Sequence, residues 1–235
     1  MSVAEYLRSR RDWLFGKNAR QGETIEALAL ALDARDSTTH SHALRVRVYA
    51  LGLGKSLNLT PATKRLLSAS ALLHDIGKVH IPDAILLKPA KLTEAEFDEM
   101  KRHTIVGAQI AIRRGLPVEV AAAIRSHHER WDGSGYPDGL CGEDIPLLAQ
   151  IIGVADCFDA LREVRPYRTP LSRGEAVKIL RDDSGTRFDP VLIERFLHCL
   201  PVLESKIKCL PVNVSFAEQL TSAARAVAPA AGYSQ

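Results

Sequence analysis

HDIGK at residues 74–78 and HHERWDGSGYP at residues 127–137 are the two most informative stretches of this sequence. Each begins with two adjacent potential metal ligands, and each follows an apolar run that contains alanine. A buried imidazole or carboxylate is costly unless it is hydrogen-bonded, paired or bound to a metal ion. Two such stretches in one chain therefore predict a site that holds more than one metal ion.

The composition is typical of one large globular domain. The 235 residues are 46% hydrophobic and 25% charged, and the net charge of +3 does not point to nucleic acid as a partner. The sequence has no apolar run long enough to span a membrane, and Met1–Arg20 has no signal-peptide core. The four cysteines form no CxxC pair. This pattern predicts reduced thiols and a cytoplasmic location, and it leaves metal binding to histidine and aspartate.

Helical patterns fill most of the sequence, and no alternating strand pattern competes with them. Thr60-Pro61 predicts the start of a helix that runs toward His74 and ends at Gly77. Thr93 and Glu96 predict a capping box. The other predicted helices lie near residues 25–32, 41–53 (ending at Gly54), 94–103, 104–114, 117–130, 147–161, 175–180 and 191–197, with a loop at 131–146. We therefore predict an all-α, multi-helix bundle at residues 25–205, with a helix or linker at 1–24 and a partly disordered extension at 206–235.

Adjacent ligands raise a geometric question, because neighbouring residues on a helix point about 100° apart. His74 and Asp75 can each bind one of two metal ions, or Asp75 can bridge ions that are roughly 3.5–4 Å apart. The same reasoning applies to His127 and His128. Taken alone, a His-Asp pair is equally consistent with a structural hydrogen bond.

Two further candidates have open alternatives. His103 lies at a predicted helix break, where a solvated surface histidine is an equally good interpretation. Asp156 and Asp159 share one face of the helix at 147–161. Either could cap or pair with a neighbouring helix, but beside two histidine-rich stretches Asp156 is the better candidate for a metal ligand.

Together these motifs resemble the HD-GYP family, a branch of the HD phosphohydrolase superfamily. Besides the two opening stretches, the resemblance rests on IPDAILLKP at 81–89, MKRH at 100–103, VADCFDAL at 154–161, RPYR at 165–168 and GTRFDP at 185–190. It covers about residues 25–200.

The resemblance implies an HD-domain-like helical fold with a bimetallic centre, usually of iron or manganese, and a GYP loop. It implies hydrolysis of the bacterial second messenger cyclic di-GMP to pGpG, and often on to GMP. The implied metal ligands are His42, His74, Asp75, His103, His127, His128 and Asp156. The implied catalytic residues are Lys78 and Asp75, and the implied substrate-binding residues are Gly135, Tyr136, Pro137, Arg165 and Arg168.

The sequence departs from the family pattern at several positions. The motif register places the first ligand at His42, although His40 lies in the same helical turn. Some members bind a third metal ion through a glutamate one turn earlier, where this sequence has Thr38, so we expect two ions. Glu163 replaces a residue that is often serine and borders the arginine segment. His80 is expected to be a surface residue.

Two other functions stay open at this stage. In the HD-GYP family the GYP loop also docks signalling partners such as GGDEF-domain proteins, and Glu129, Arg130, Trp131 and Tyr136 would suit such contacts. The chain could also hydrolyse another cyclic or polyphosphorylated nucleotide. The sequence does not decide whether the protein is a homodimer.

Overall fold

A computed structural model describes Thr24, Ile25, Ala27 and Leu28, followed by residues 37–163 and 169–207, with the side chains of the longer ranges from His42 onward. Most of the predicted N-terminal linker and most of the C-terminal extension lie outside these residues, so the predicted domain limits stay a prediction. No described helix is both long enough and apolar enough to cross a membrane.

The described residues form a helical bundle. Its helices are α1 (Ser37–Ser56), α2 (Pro61–Leu73), α3 (Asp83–Leu86), α4 (Glu94–Arg113), α5 (Val118–Ser126), α6 (Leu147–Arg162), α7 (Arg173–Asp182) and α8 (Pro190–Ile207). Two short 3₁₀ helices span Ile76–His80 and Gly142–Asp144. Within the described ranges the only strand-like pairing is an isolated bridge between Ser184 and Phe188. The all-α prediction is confirmed.

Helix α6 lies at the centre of the bundle. Most of its residues are buried, including Ile151, Ile152, Val154 and Phe158. It packs against α1, α5 and α7, and α1 in turn packs against α2 and α8. A second apolar cluster joins α2, α4 and α5 around Leu73, which is fully buried. Because α6 is buried on nearly all sides, any polar side chain on it must find a partner inside the protein.

Two of the predicted helix starts are confirmed by cap hydrogen bonds. Thr60 accepts a hydrogen bond from the backbone N–H of Thr63, and Pro61 is the first residue of α2. Thr93 and Glu96 form the reciprocal capping box at the start of α4. Each cap satisfies backbone donors that have no partner within the helix.

Helix α1 continues past the predicted stop at Gly54. It ends at Ser56, and the chain turns at Asn58, which adopts the left-handed conformation with φ of 56°. Gly54 has a packing role instead, since a Cβ atom there would lie 2.9 Å from Cδ2 of Leu67 on α2. The chain therefore turns away from the helix at Asn58, a residue type that tolerates the left-handed region.

Three other predicted boundaries, those next to the candidate metal ligands, are also wrong. The expected break at His103 is absent, because α4 runs unbroken from Glu94 to Arg113. Helix α5 ends at Ser126, before the histidine pair. Helix α2 ends at Leu73, and Gly77 lies inside the following 3₁₀ helix. A Cβ atom at Gly77 would lie 1.9 Å from the His103 carbonyl oxygen, so glycine is required there for close packing against α4.

Candidate metal centre

The seven predicted metal ligands come from different helices and converge in one place. His42 lies on α1, His103 on α4 and Asp156 on α6, while the others follow the C-terminal ends of α2 and α5. The imidazole rings form a continuous series, with centroid separations of 5.4 Å for His42–His74, 5.2 Å for His74–His127, 4.1 Å for His127–His128 and 5.2 Å for His128–His103. Residues separated by more than 100 positions in the chain thus share one polar interior site.

Three of the histidines are oriented by backbone carbonyl groups. The Nδ1 atoms of His74, His103 and His127 lie 2.9, 2.7 and 2.8 Å from the carbonyl oxygens of Ala71, Met100 and Ile124. A carbonyl oxygen only accepts, so each Nδ1 carries the hydrogen and each Nε2 lone pair is left to bind a cation. This use of the second ring nitrogen is typical of metal-binding histidines.

His103, His127 and His128 form the first ligand cluster, in which one ligand atom from each residue lies within 4.8 Å of the others. The Nε2 atoms of His103 and His127 are 3.5 Å apart. Burial lowers the pKa of both rings, and it lowers the pKa of His128 to about 3. Neutral imidazoles that turn their lone pairs toward each other repel, and a shared cation removes that repulsion. This arrangement therefore fits a metal ion.

His42, His74 and Asp75 form the second ligand cluster, again with ligand atoms within 4.8 Å of one another. The buried Nε2 atom of His74 makes no hydrogen bond to any described residue. Such an orphaned atom is rare in a protein interior and calls for a partner. A metal ion bound here would satisfy it.

Asp75 lies between the two clusters. Its Oδ1 atom is 3.4 Å from His103 Nε2, and its Oδ2 atom is 3.5 Å from His74 Nε2. Burial alone would raise the pKa of this carboxyl group, but the charge of Lys78 and the nearby histidines hold it well below its usual range. Lys78 Nζ is 2.6 Å from Oδ2. One ionised carboxylate thus turns one oxygen toward each histidine cluster.

His42 lies between two carboxylates on α6. Its Nδ1 atom is 2.7 Å from Asp159 Oδ2, and its Nε2 atom is 3.1 Å from Asp156 Oδ1. Burial alone would lower the pKa of His42, but hydrogen bonds to Asp156 and Asp159 raise it to about 10. A divalent cation held by Nε2 and Asp156 would replace a proton at this position. The contacts favour His42 for the ligand role, while the side chain of His40 lies outside the described part of the chain.

Arg45 and Asp159 were not among the predicted site residues. Arg45 donates from Nε and Nη2 to the two oxygens of Asp159, at 2.8 and 2.9 Å, and from Nη2 to Glu163 at 2.6 Å. The guanidinium group therefore neutralises the acidic group formed by Asp159 and Glu163 beside His42. The spacing in the sequence could have identified these two residues. His42 and Arg45 are three residues apart on α1, and Asp156 and Asp159 are three residues apart on α6. Each pair therefore lies on one face of its helix.

The GYP loop packs beside the first cluster. The ring of Tyr136 is 5.0 Å from that of His128, and its backbone N–H donates to the His128 carbonyl oxygen at 3.3 Å. Burial and the charges of Asp75 and Asp156 raise the pKa of Tyr136, as expected for a hydroxyl group close to these carboxylates. A Cβ atom at Gly135 would lie 2.4 Å from Glu129 Cα. Glycine therefore allows the loop to fold back onto the histidine segment.

Glu129 has a structural role in this loop. It is only 7% exposed, and its carboxylate accepts hydrogen bonds from the backbone N–H groups of Asp138 and Leu140 at 2.7 and 3.1 Å. The expectation that Glu129 contacts a partner is wrong, because a buried, fully engaged carboxylate cannot reach another protein. Its hydrogen bonds fix the path of the chain after Pro137.

Some predicted residues are not part of the described centre or are not described at all. Arg165 and Arg168 lie outside the described residues. His80 is exposed at the end of the first 3₁₀ helix, as expected for a surface residue. The described cysteines, Cys141, Cys157 and Cys199, carry free thiols and are not among the candidate metal-binding groups of the described residues.

Comparisons with known proteins agree with this geometry. A family model described as the HD domain matches residues 2–192. The chain is 43% identical over 188 residues to the cyclic di-GMP phosphodiesterase response regulator RpfG of Xanthomonas campestris pv. campestris, a match that covers 79% of this chain and 50% of that protein. It is 39% identical over 177 residues to the 3'3'-cGAMP-specific phosphodiesterase 2 of Vibrio cholerae, covering 74% of this chain and 34% of that protein.

A solved structure has the same fold. An HDG"Y"P protein from Bdellovibrio bacteriovorus matches with a TM-score of 0.61 at 24% identity, covering 84% of this chain and 67% of that one. The helical fold and the buried histidine–aspartate centre define an HD-type domain, a class that binds divalent metal ions. This chain belongs to the HD domain family, in its HD-GYP branch. It spans between about a third and a half of the length of the curated relatives it matches.

Proposed function

We propose that this protein hydrolyses cyclic di-GMP with two bound divalent metal ions. The observation that carries the proposal is Asp75, whose two oxygens face separate histidine clusters at 3.4 and 3.5 Å. A carboxylate that bridges two ions is typical of sites that cleave phosphate esters. The names of the relatives, which include both cyclic di-GMP and cGAMP phosphodiesterases, support a cyclic dinucleotide as the substrate.

We propose iron or manganese for both ions. The ligands would be His103, His127 and His128 for one ion and His42, His74 and Asp156 for the other, with Asp75 shared between them. Imidazole and carboxylate donors without thiolate suit these metals. Bound ions would supply an activated water molecule and neutralise charge on the phosphate. Thr38 in place of a glutamate supports a count of two ions, and three ions per chain in anaerobically purified protein would contradict it.

The protein side chains would bind and orient the phosphodiester. Lys78 brings an ammonium group to the edge of the centre, 2.6 Å from Asp75, where it can contact the scissile phosphate. Gly135, Tyr136 and Pro137 would border the bound nucleotide on the side of His128. We assign Arg165 and Arg168 to substrate binding on the family resemblance alone. Hydrolysis would give pGpG, with GMP as a further product.

A second candidate substrate is 3'3'-cGAMP, favoured by the relative that is 39% identical to this chain.

Docking of a GGDEF-domain partner through Arg130, Trp131 and Tyr136 also stays a prediction, as do a homodimer and the cytoplasmic location. We retain residues 25–205 as the proposed catalytic domain.

The decisive experiment compares substrates on metal-loaded protein. Protein reconstituted with Mn²⁺ or Fe²⁺ under reducing conditions is incubated with cyclic di-GMP or 3'3'-cGAMP, and products are separated by chromatography. We expect cleavage of cyclic di-GMP, and no detectable cleavage by Asp75→Ala. Asp182→Ala is the matched control, because Asp182 is an exposed acid on α7, away from the metal centre. Absence of cleavage by the wild type with either metal would exclude the proposed function, and preference for 3'3'-cGAMP would select the second candidate.

A further inference from the structure

Phe97, Lys101 and Tyr136 form a partly exposed group beside the metal centre, which we call the aromatic corner. Phe97 and Lys101 lie one turn apart on α4, and Tyr136 belongs to the GYP loop. The Tyr136 ring contacts both Phe97, at a centroid distance of 6.3 Å, and the metal-ligand candidate His128, at 5.0 Å. Phe97 is thus two ring-to-ring contacts away from His128, a proposed metal ligand.

Phe97 is unusual because it is a large apolar side chain left 45% exposed next to a polar site. An exposed aromatic ring on its own is common at protein surfaces. Here, however, it stands edge-to-face with Tyr136, with an interplanar angle of 81°, and so extends the wall of the site outward. Aromatic rings in such positions offer stacking surfaces for nucleobases, because every base has a π face.

Lys101 adds a cation to the same place. Its Nζ atom lies 4.8 Å from the Phe97 ring centroid and 5.9 Å from that of Tyr136. One of its three donors goes to Asp98 at 2.8 Å, in an exposed ion pair of the kind that contributes little stability. A lysine can therefore turn another donor toward a ligand that stacks nearby. Guanine presents two acceptors, O6 and N7, on one edge, whereas adenine presents an acceptor and a donor there.

We propose that the aromatic corner binds a guanine base, which stacks on Phe97 against the neighbouring Tyr136 ring, while Lys101 turns away from the Phe97 face and donates to the O6/N7 edge. This inference rests on the proposed function, because it assigns a base of the cyclic dinucleotide whose phosphate lies at the metal centre. It makes Phe97 and Lys101 specificity-determining residues, and it gives a reason for this chain to prefer guanine over adenine nucleotides.

The alternative is that Phe97 has only a structural role, in which its contact with Tyr136 supports the GYP loop. The two roles differ in what they predict for a ligand without a base. A base-binding corner contributes to the affinity for GMP and nothing to that for ribose 5-phosphate. A loop support would affect both ligands equally, because both reach the metal centre through their phosphate group.

Calorimetric titration of Mn²⁺-loaded protein with GMP, AMP and ribose 5-phosphate tests this directly and needs no turnover. For Phe97→Leu, which keeps apolar bulk but cannot stack, we expect a roughly tenfold weaker affinity for GMP and an unchanged affinity for ribose 5-phosphate. Phe97→Trp should restore GMP binding to within about twofold. Lys101→Met should reduce the preference for GMP over AMP by about tenfold.

Matched controls come from similar surface positions. Ile112→Ala alters an exposed apolar residue on the same helix, and Lys178→Met removes an exposed lysine that pairs with an aspartate; neither should change any affinity. Equal losses for GMP and ribose 5-phosphate in Phe97→Leu, or an unchanged GMP affinity, would overturn the inference. Cleavage of cyclic di-GMP is measured separately. Its absence would exclude the proposed function, while the GMP ratios would still decide whether the corner binds a base.

Discussion

The two ligand clusters bury similar side chains but hold them in different electrostatic states. In the first cluster, His103 and His127 are oriented by backbone carbonyl groups, and burial lowers the pKa of each histidine, including His128. In the second cluster, two carboxylates contact His42 and raise its pKa to about 10. The first cluster therefore presents neutral nitrogens, whereas the second holds a proton where the metal ion would bind.

Because of this difference, the two clusters should differ in their affinity for a metal ion and in how that affinity depends on pH. A metal ion entering the first cluster displaces no proton, so its affinity should depend little on pH near neutrality. An ion entering the second cluster must compete with the proton on His42, but it also gains the negative charge of Asp156. Apart from the shared Asp75, the first site is formed by neutral nitrogen donors, whereas the second adds a carboxylate of its own.

Removal of the carboxylate that the clusters share should have the strongest effect. Asp75→Ala should reduce the Mn²⁺ content from two ions per chain to fewer than one, because it takes a ligand from both ions at once. His128→Ala and His74→Ala should each lose one ion. Elemental analysis after metal loading and desalting measures this. If Asp75→Ala kept both ions, the two clusters would be independent sites.

The next largest effect is expected at Asp159, which contacts His42 of the second cluster. Asp159→Asn should weaken binding of one Mn²⁺ ion by about 10–100-fold, the range seen when a group that orients a metal-bound histidine is lost. The other ion should bind as in the wild type. Titration calorimetry resolves the two affinities, and Asp182→Asn, on the exposed face of α7, is the matched control. Equal weakening of both ions would indicate general loss of structure.

The pH dependence of the metal-free protein should have opposite signs for the two clusters. His42 has a folded pKa of about 10 against an ordinary 6.5, so its contribution to stability is complete below pH 6.5 and is lost as pH rises toward 10. His128 has a folded pKa of about 3, so its contribution is complete above pH 6.5 and is lost as pH falls toward 3. The free energy of unfolding therefore falls with rising pH on an alkaline limb, through His42, and with falling pH on an acid limb, through His128. On each limb a single group can change it by up to about 1.4 kcal/mol per pH unit.

Urea unfolding with a chelator present, at several pH values between about 5 and 9, measures both limbs. His42→Gln should flatten the alkaline limb alone, and His128→Gln should reduce the acid limb, which His103 and His127 also shape. An unchanged alkaline limb in His42→Gln would show that His42 does not carry the proton.

The weakest effect is expected at Glu163, where this chain departs from the family pattern. Glu163→Gln removes one partly exposed ion pair to Arg45 and leaves the two hydrogen bonds from Arg45 to Asp159 in place. We expect a roughly two- to threefold change in the KM for cyclic di-GMP, of the size of a surface ion pair, and unchanged Mn²⁺ affinity. A loss of metal affinity would mean that Glu163 helps to orient His42.

Much of the site could be predicted from the sequence because ionisable side chains that lie next to each other in apolar helices need a partner inside the protein. This requirement identifies the pairs His74-Asp75 and His127-His128. The three-residue spacing of Asp156 and Asp159 likewise indicates a polar face on the otherwise apolar helix α6. The boundaries were less predictable. Gly54 and Gly77 have the pattern of helix ends, but each is glycine because another helix packs against it at close range.

The amino-acid sequence was enough to specify an all-α fold, the helix caps and the chemistry of the donors, because these depend on local spacing and residue type. Tertiary packing was needed to show that Asp159 and Arg45 surround His42, that Glu129 is buried inside the loop and that Phe97 lies beside Tyr136. Each of these contacts joins elements that are distant in the chain or folds the loop back on itself. Such contacts are set by how helices pack and loops fold, which local periodicity does not encode.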